Sequence, residues 1–245
     1  MIFYLFIYLY MLALLYKINL FYFMSRYIYI GELDLTKQSG EDVLGLLVAS
    51  EELLLEELSK YVKDHLIERK ADWVQNNFFL VMKIMFNLTN YQKFYERCIL
   101  TICENPLPTF YSNDFLSLDK NILLDLLKSV HLKIEEIIAW ECLIKWGIEQ
   151  TPGLGSKNSN RAKWNHKNFE ALKETLSQFI PLIRFIAISP ADFFDKVRPY
   201  QVIFPSHIYE EVTEFYFKDT LPKSTLRPRR PPKLKIDRME RVFHG

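Results

Sequence analysis

The hydrophobic and polar positions of this chain fall at helical spacing over most of its length. Ser39-x-x-Asp42 has the form of a capping box and opens SGEDVLGLLVASEELLLEELSKYVKDHLIERK. There Leu44, Leu47 and Val48 share one face, and Leu54, Leu58, Tyr61 and Val62 the next, with acids opposite, which predicts two amphipathic helices broken near Ser50. Further helices are predicted over 76–87 and 91–105, the second ended by Pro106 and Pro108. A short turn or helix follows from Ser112 to Ser117, and Asp119 caps ILLDLLKS.

Residues 134–150 carry the clearest amphipathic pattern, with Ile134, Ile137, Ile138, Trp140, Leu143, Ile144 and Trp146 on a wide apolar face. Glu135 and Glu136 suit the positive end of that helix. Residues 151–164 read as a loop, Asn168 to Phe179 as helix, Ser189-Pro190-Ala191-Asp192 as a helix start, and Ser206 as the cap of HIYEEVTEFYF. Ahead of all this, residues 25–35 read as the end of an apolar helix, a turn at Gly31-Glu32 and a short extended piece, Leu33-Asp34-Leu35. Alternating strands are nearly absent, so the expected fold class is all-α.

The first 24 residues break the pattern. Met1 to Tyr16 hold no charge, Gly, Pro or Asn, and Lys17 and Asn19 then interrupt the run. A secretory signal needs a basic start and a small-residue cleavage site, and neither is present. A transmembrane helix needs about 20 mostly apolar residues. Residues 1–24 supply that length if Lys17 snorkels to an interface. Lys17 and Arg26 would then hold the rest of the chain in the cytosol. The alternative is a gene-model artefact, because the stretch is spelled almost entirely in the residues of A/T-rich codons.

Composition narrows the chemistry. Over 245 residues the chain is 49% hydrophobic, 25% charged and 15% aromatic, which is a globular balance. Seven glycines argue against a glycine-rich phosphate-binding enzyme. The net charge of +1 hides an asymmetry: Lys223 to Gly245 hold eight Lys/Arg against Asp237 and Glu240. That tail, RPRRPPKLKIDR at its centre, reads as a disordered Pro/Arg-rich linker, and no nucleic-acid partner is expected. Cys98, Cys103 and Cys142 form no disulfide framework and read as buried free thiols. His65, His131, His166, His207 and His244 lie in no metal-binding spacing. His207 with Glu210 and Glu211 has the makings of a base and its orienting carboxylate, but a solvated helix face is the expected reading. Glu51, Glu52, Glu56 and Glu57 read as surface acids, Trp140 and Trp146 as core, and the Asn87-Leu88-Thr89 sequon as chance. No catalytic, cofactor-binding or metal-ligating residues are assigned.

Two stretches carry a family resemblance. RYIYIGELDL followed by EDVLGLLVASEELLLEELSKYVKDHL resembles the second half of a BTB domain, with its Tyr-x-Tyr-x-Gly turn and last two helices. FLSLDKNILLDLLKSVHLKIEEIIAWECLIKWG resembles the central signature of a BACK domain, with Glu135, Glu136, Ala139 and Trp146 at the pattern's positions. FIPLIRFIAISPADFFDKVRPY is similar to later BACK helices. The combination is similar to fungal BTB–BACK proteins that continue into a TLDc domain, which is absent here.

Behind the hydrophobic segment at 1–24, the resemblance implies a C-terminal part of BTB at 25–70 and a BACK helical array at 71–218, followed by the linker tail at 219–245. It implies a non-enzymatic, cytoplasmic adaptor without cofactors, whose partners are proteins and whose family docks on a cullin scaffold of a ubiquitin ligase. The likeness to BTB begins at about residue 25, so a truncated protein is expected, without the first half that supplies the family's dimer interface.

Overall fold

In the computed structural model, the structure describes residues 23, 26, 27, 29–31, 33–85, 91–155 and 161–218. Among these the chain is all-α: eleven α-helices joined by short 3-10 turns and one π turn, with no strand. Apart from Phe23, the 1–24 segment lies outside the described residues, as do the 219–245 tail and the 87–89 sequon. The chain divides into two compact units, Met1–Thr101 and Ile102–Gly245.

The first unit is built on a helical hairpin. Gly31, at φ +76°, donates its N–H to the Tyr27 carbonyl, a left-handed helix end that glycine tolerates best. Helix α1 (Gly40–Glu52) begins where expected, because the Ser39 hydroxyl accepts the Asp42 N–H at 3.0 Å. It ends two residues beyond Ser50, near the predicted break. The Leu55 N–H donates to the Ser50 carbonyl (2.8 Å) and the Leu54 N–H to that of Glu51 (3.1 Å). This is a Schellman ending with Leu54 at φ +57°, the position usually held by glycine.

Helix α2 (Glu56–Arg69) packs back on α1, and Val43, Leu44, Leu47, Leu58, Val62 and Leu66 are buried. Helix α3 (Ala71–Asn76) sets Trp73 against the first turn of α1, where a Cβ on Gly40 would come within 2.1 Å of the indole. Asn77 separates it from α4 (Phe78–Met85), which falls within the predicted 76–87 helix, whereas α3 lies almost wholly ahead of that range and is an additional helix. Helix α5 (Gln92–Glu104) buries Phe94, Cys98 and Ile102.

In the second unit Pro106 and Pro108 do more than end a helix. They open a one-turn helix, α6 (Leu107–Phe110), since proline is suited to a first turn. Asp119 caps α7 (Lys120–Lys128), accepting the Asn121 N–H at 2.8 Å. The core is organised around α8 (Glu136–Gln150). Trp140 is 1% exposed, donates to the Lys196 carbonyl at 3.2 Å and meets Phe185 and Phe204 with ring centroids 5.4 and 5.5 Å away. Trp146 donates to the Leu118 carbonyl at 2.9 Å and packs edge-on against Phe179. Gly147 admits Leu176 of α9 (His166–Leu176), which starts two residues before the predicted Asn168 because Asn165 and Asn168 form a reciprocal capping box. Ser189 caps α10 (Pro190–Asp192), and α11 (Ser206–Lys218) is tied down by Tyr216, whose hydroxyl lies 2.7 and 2.8 Å from the carbonyls of Phe185 and Ile188.

One reading of the α8 face needs correction. Ile137 and Ile138 are half-buried, whereas Glu136 is 6% exposed and sits inside. Its carboxylate accepts the backbone N–H of Arg184 (3.2 Å) and faces the Arg184 guanidinium at 3.8 Å. Glu136 thus stands in the first turn of α8, as its match to the helix dipole predicts, and is in addition a buried anion paired with Arg184.

Candidate interaction cleft

The first unit carries an open cleft of about 530 Å³ at the turn between α1 and α2 and the start of α5. Leu55 and Phe94 line its apolar part, and Glu51, Ser59, Lys63 and Arg97 its polar part. Each side chain is placed by local structure. Glu51 lies in the last turn of α1, and Ser59 and Lys63 lie one turn apart on α2, so both face the same point. Lys63 pairs with Glu51 at 2.6 Å, and the Ser59 hydroxyl donates to the same carboxylate oxygen. The Lys63 and Glu51 side chains keep only 14% and 11% of their surface exposed. Glu51 therefore does not belong with the surface acids Glu52, Glu56 and Glu57, which are exposed. At the rim Arg97 joins Asp64 and, at 3.2 Å, Glu68.

Leu54 lines the rim of this cleft and is 79% exposed, and its neighbour Leu53 is 58% exposed. A β-carbon in the left-handed region costs roughly 1–2 kcal/mol. The Schellman turn therefore holds an exposed leucine at an energetic disadvantage.

A second, shallower depression of about 380 Å³ lies in the other unit beside Trp140, Glu141, Lys196 and Tyr200. Lys196 bridges Glu141 (3.0 Å) and Asp192 (3.2 Å), and hydrogen bonding to these carboxylates raises its pKa. Arg161 sits over the Tyr200 ring at 5.1 Å, and burial pushes the Tyr200 hydroxyl up.

The remaining sequence candidates do not converge. His207 and Glu210 are exposed on α11 and Glu211 is half-buried. The three cysteines are buried free thiols, and burial pushes the Cys98 thiol up to about 12. Among the described residues no group of three or more His, Cys, Asp or Glu is placed to hold a metal ion, and no helix is long and apolar enough to cross a membrane. Sequence reasoning missed the Glu51–Ser59–Lys63 cluster and Arg184. Only Arg184 left a signal, as the one charge inside the apolar run Phe179–Ile188. No family model, curated protein or solved structure matches the chain.

Proposed function

We propose that the chain is a non-enzymatic protein–protein interaction adaptor of the cytoplasm, similar to the BTB–BACK substrate receptors of cullin-RING ubiquitin ligases. The observation that carries the reading is the Leu53–Leu54 corner. Two adjacent leucines are exposed within the stretch that resembles BTB, and one of them, Leu54, lines the open cleft and occupies a left-handed backbone position. Strained, solvent-facing apolar groups of this kind concentrate at binding sites. Covering a leucine contributes about 1.5–3 kcal/mol, so the pair supplies an anchor of useful size. The Glu51–Lys63 and Arg97–Asp64 pairs around it form the polar surround that such anchors have. The test is co-precipitation of the tagged full chain with endogenous cullin. Enrichment over Leu53→Asp/Leu54→Asp supports the reading, and no enrichment removes the cullin from it.

The uncharged run Met1–Tyr16 favours a second reading, a membrane-anchored scaffold with its helical domains in the cytosol. Alkaline carbonate extraction separates the two: full release into the supernatant rules out an integral anchor.

A further inference from the structure

The strip from Leu33 to Thr36 is held on α2 by three side chains. The Tyr61 hydroxyl donates to the Leu33 carbonyl at 3.0 Å, and the Lys70 ammonium reaches the Thr36 carbonyl at 3.5 Å. Between them His65 hydrogen-bonds the backbone of Leu35, a residue only 1% exposed. His65 is itself 8% exposed, and its Nε2 is buried with no hydrogen-bond partner.

A neutral imidazole has one N–H and one lone pair. Here the N–H is used on the strip and the lone pair sits buried with no hydrogen-bond partner. Protonation would put a second N–H and a full charge at a buried point where no protein acceptor stands, and both are costly. The surrounding charges add to this. From the end of α2 come Arg69 and Lys70, both cations, and from the strip comes the single carboxylate of Asp34. Tyr61, with its ring centroid 6.3 Å away, is the titratable neighbour on the same helix. Asp34 does not confuse the picture, since hydrogen bonds from Thr36 hold its carboxyl below the usual carboxylate range.

We propose that His65 is an acid-sensitive latch: its protonation releases the Leu33–Thr36 strip from α2. Burial and the two neighbouring cations hold the docked imidazole's pKa below the ordinary value of about 6.5. The released ring, in water, takes a proton at that ordinary value. Between the two values the released state binds more protons, so acidification favours it by up to about tenfold per pH unit. Above the window the latch is closed and indifferent to pH. Release frees Leu35 and bares the Tyr61–His65 face of α2, next to the Gly31 turn.

Hydroxyl-radical footprinting of the full chain reads the docked state directly, because Leu35 is shielded only while the strip is in place. Between pH 7.5 and 5.5 the modification rate of Leu35 rises by up to about tenfold in the native chain and stays flat in His65→Phe. Imidazole titration by NMR in the native chain gives a midpoint below about 6.5. It also decides the matter alone should the variant not fold. A flat Leu35 rate in the native chain, an equal rise in His65→Phe, or an imidazole that protonates at or above its ordinary value with Leu35 still shielded would each overturn the latch.

Discussion

Each unit keeps a glutamate paired with a cation out of bulk water, and the two pairs differ in what surrounds them. Glu136 and Arg184 are enclosed, with side chains 4% and 5% exposed, and the glutamate also accepts a backbone N–H from its partner residue. Glu51 and Lys63 stand closer together, at 2.6 Å, but at the wall of an open cleft with the Ser59 hydroxyl as a third member. The first pair belongs to the unit in which Trp140, Phe185 and Phe204 interlock. The second borders a surface where leucines remain uncovered. A paired charge costs desolvation wherever it is buried. In one unit that cost fixes the path of the chain around Arg184, and in the other it leaves a polar wall beside an unfilled apolar site.

The contrast is broken most severely at Glu136. Glu136→Ala leaves the Arg184 guanidinium buried without its carboxylate and destabilises the second unit by about 3–5 kcal/mol. Denaturant unfolding followed by tryptophan fluorescence in a Trp73→Phe background reads this, because Trp140, Trp146 and Trp164 all belong to that unit. Replacing both partners by methionine recovers most of the loss, which a purely local cavity would not allow.

At the cleft the same kind of change is milder. Glu51→Ala costs about 1–2 kcal/mol, since Lys63 retains access to water while the Ser59 hydroxyl loses a charged acceptor. Hydrogen exchange across α1 and α2 measures it. Leu54→Gly acts in the opposite direction: it relieves the left-handed strain and stabilises the first unit by about 1 kcal/mol, while weakening partner binding. The smallest effect is chemical. With its thiol pushed up to about 12 by burial, Cys98 stays unlabelled by thiol reagents at pH 8 and reacts only at the rate of unfolding.

What the sequence made legible was local. The caps at Ser39, Asp119 and Ser189 are each made by a side chain that reaches a backbone N–H two or three residues on, so their motifs carry their own geometry. The turn at Leu53–Leu55 was placed slightly early, near Ser50, because the position that should announce it with glycine holds Leu54 instead. Glu51 was read as a surface acid, and the burial of Glu136 was missed, for a related reason. Their partners lie 12 and 48 residues along the chain, and tertiary packing alone brings them together. No pattern over one or two helical turns contains that information. The all-α class was legible because periodicity fixes it, and the cleft was not, because it is made by elements meeting.

The most direct measurement of the adaptor reading is a calorimetric titration of the purified chain against a purified cullin scaffold, run beside Leu53→Asp/Leu54→Asp. The account predicts saturable binding by the native chain. It also predicts a dissociation constant about 30-fold weaker in the variant, as the loss of a 2 kcal/mol hot spot requires, with unchanged helical circular dichroism. Absence of saturable binding by the native chain, or equal affinity in the variant, would contradict it.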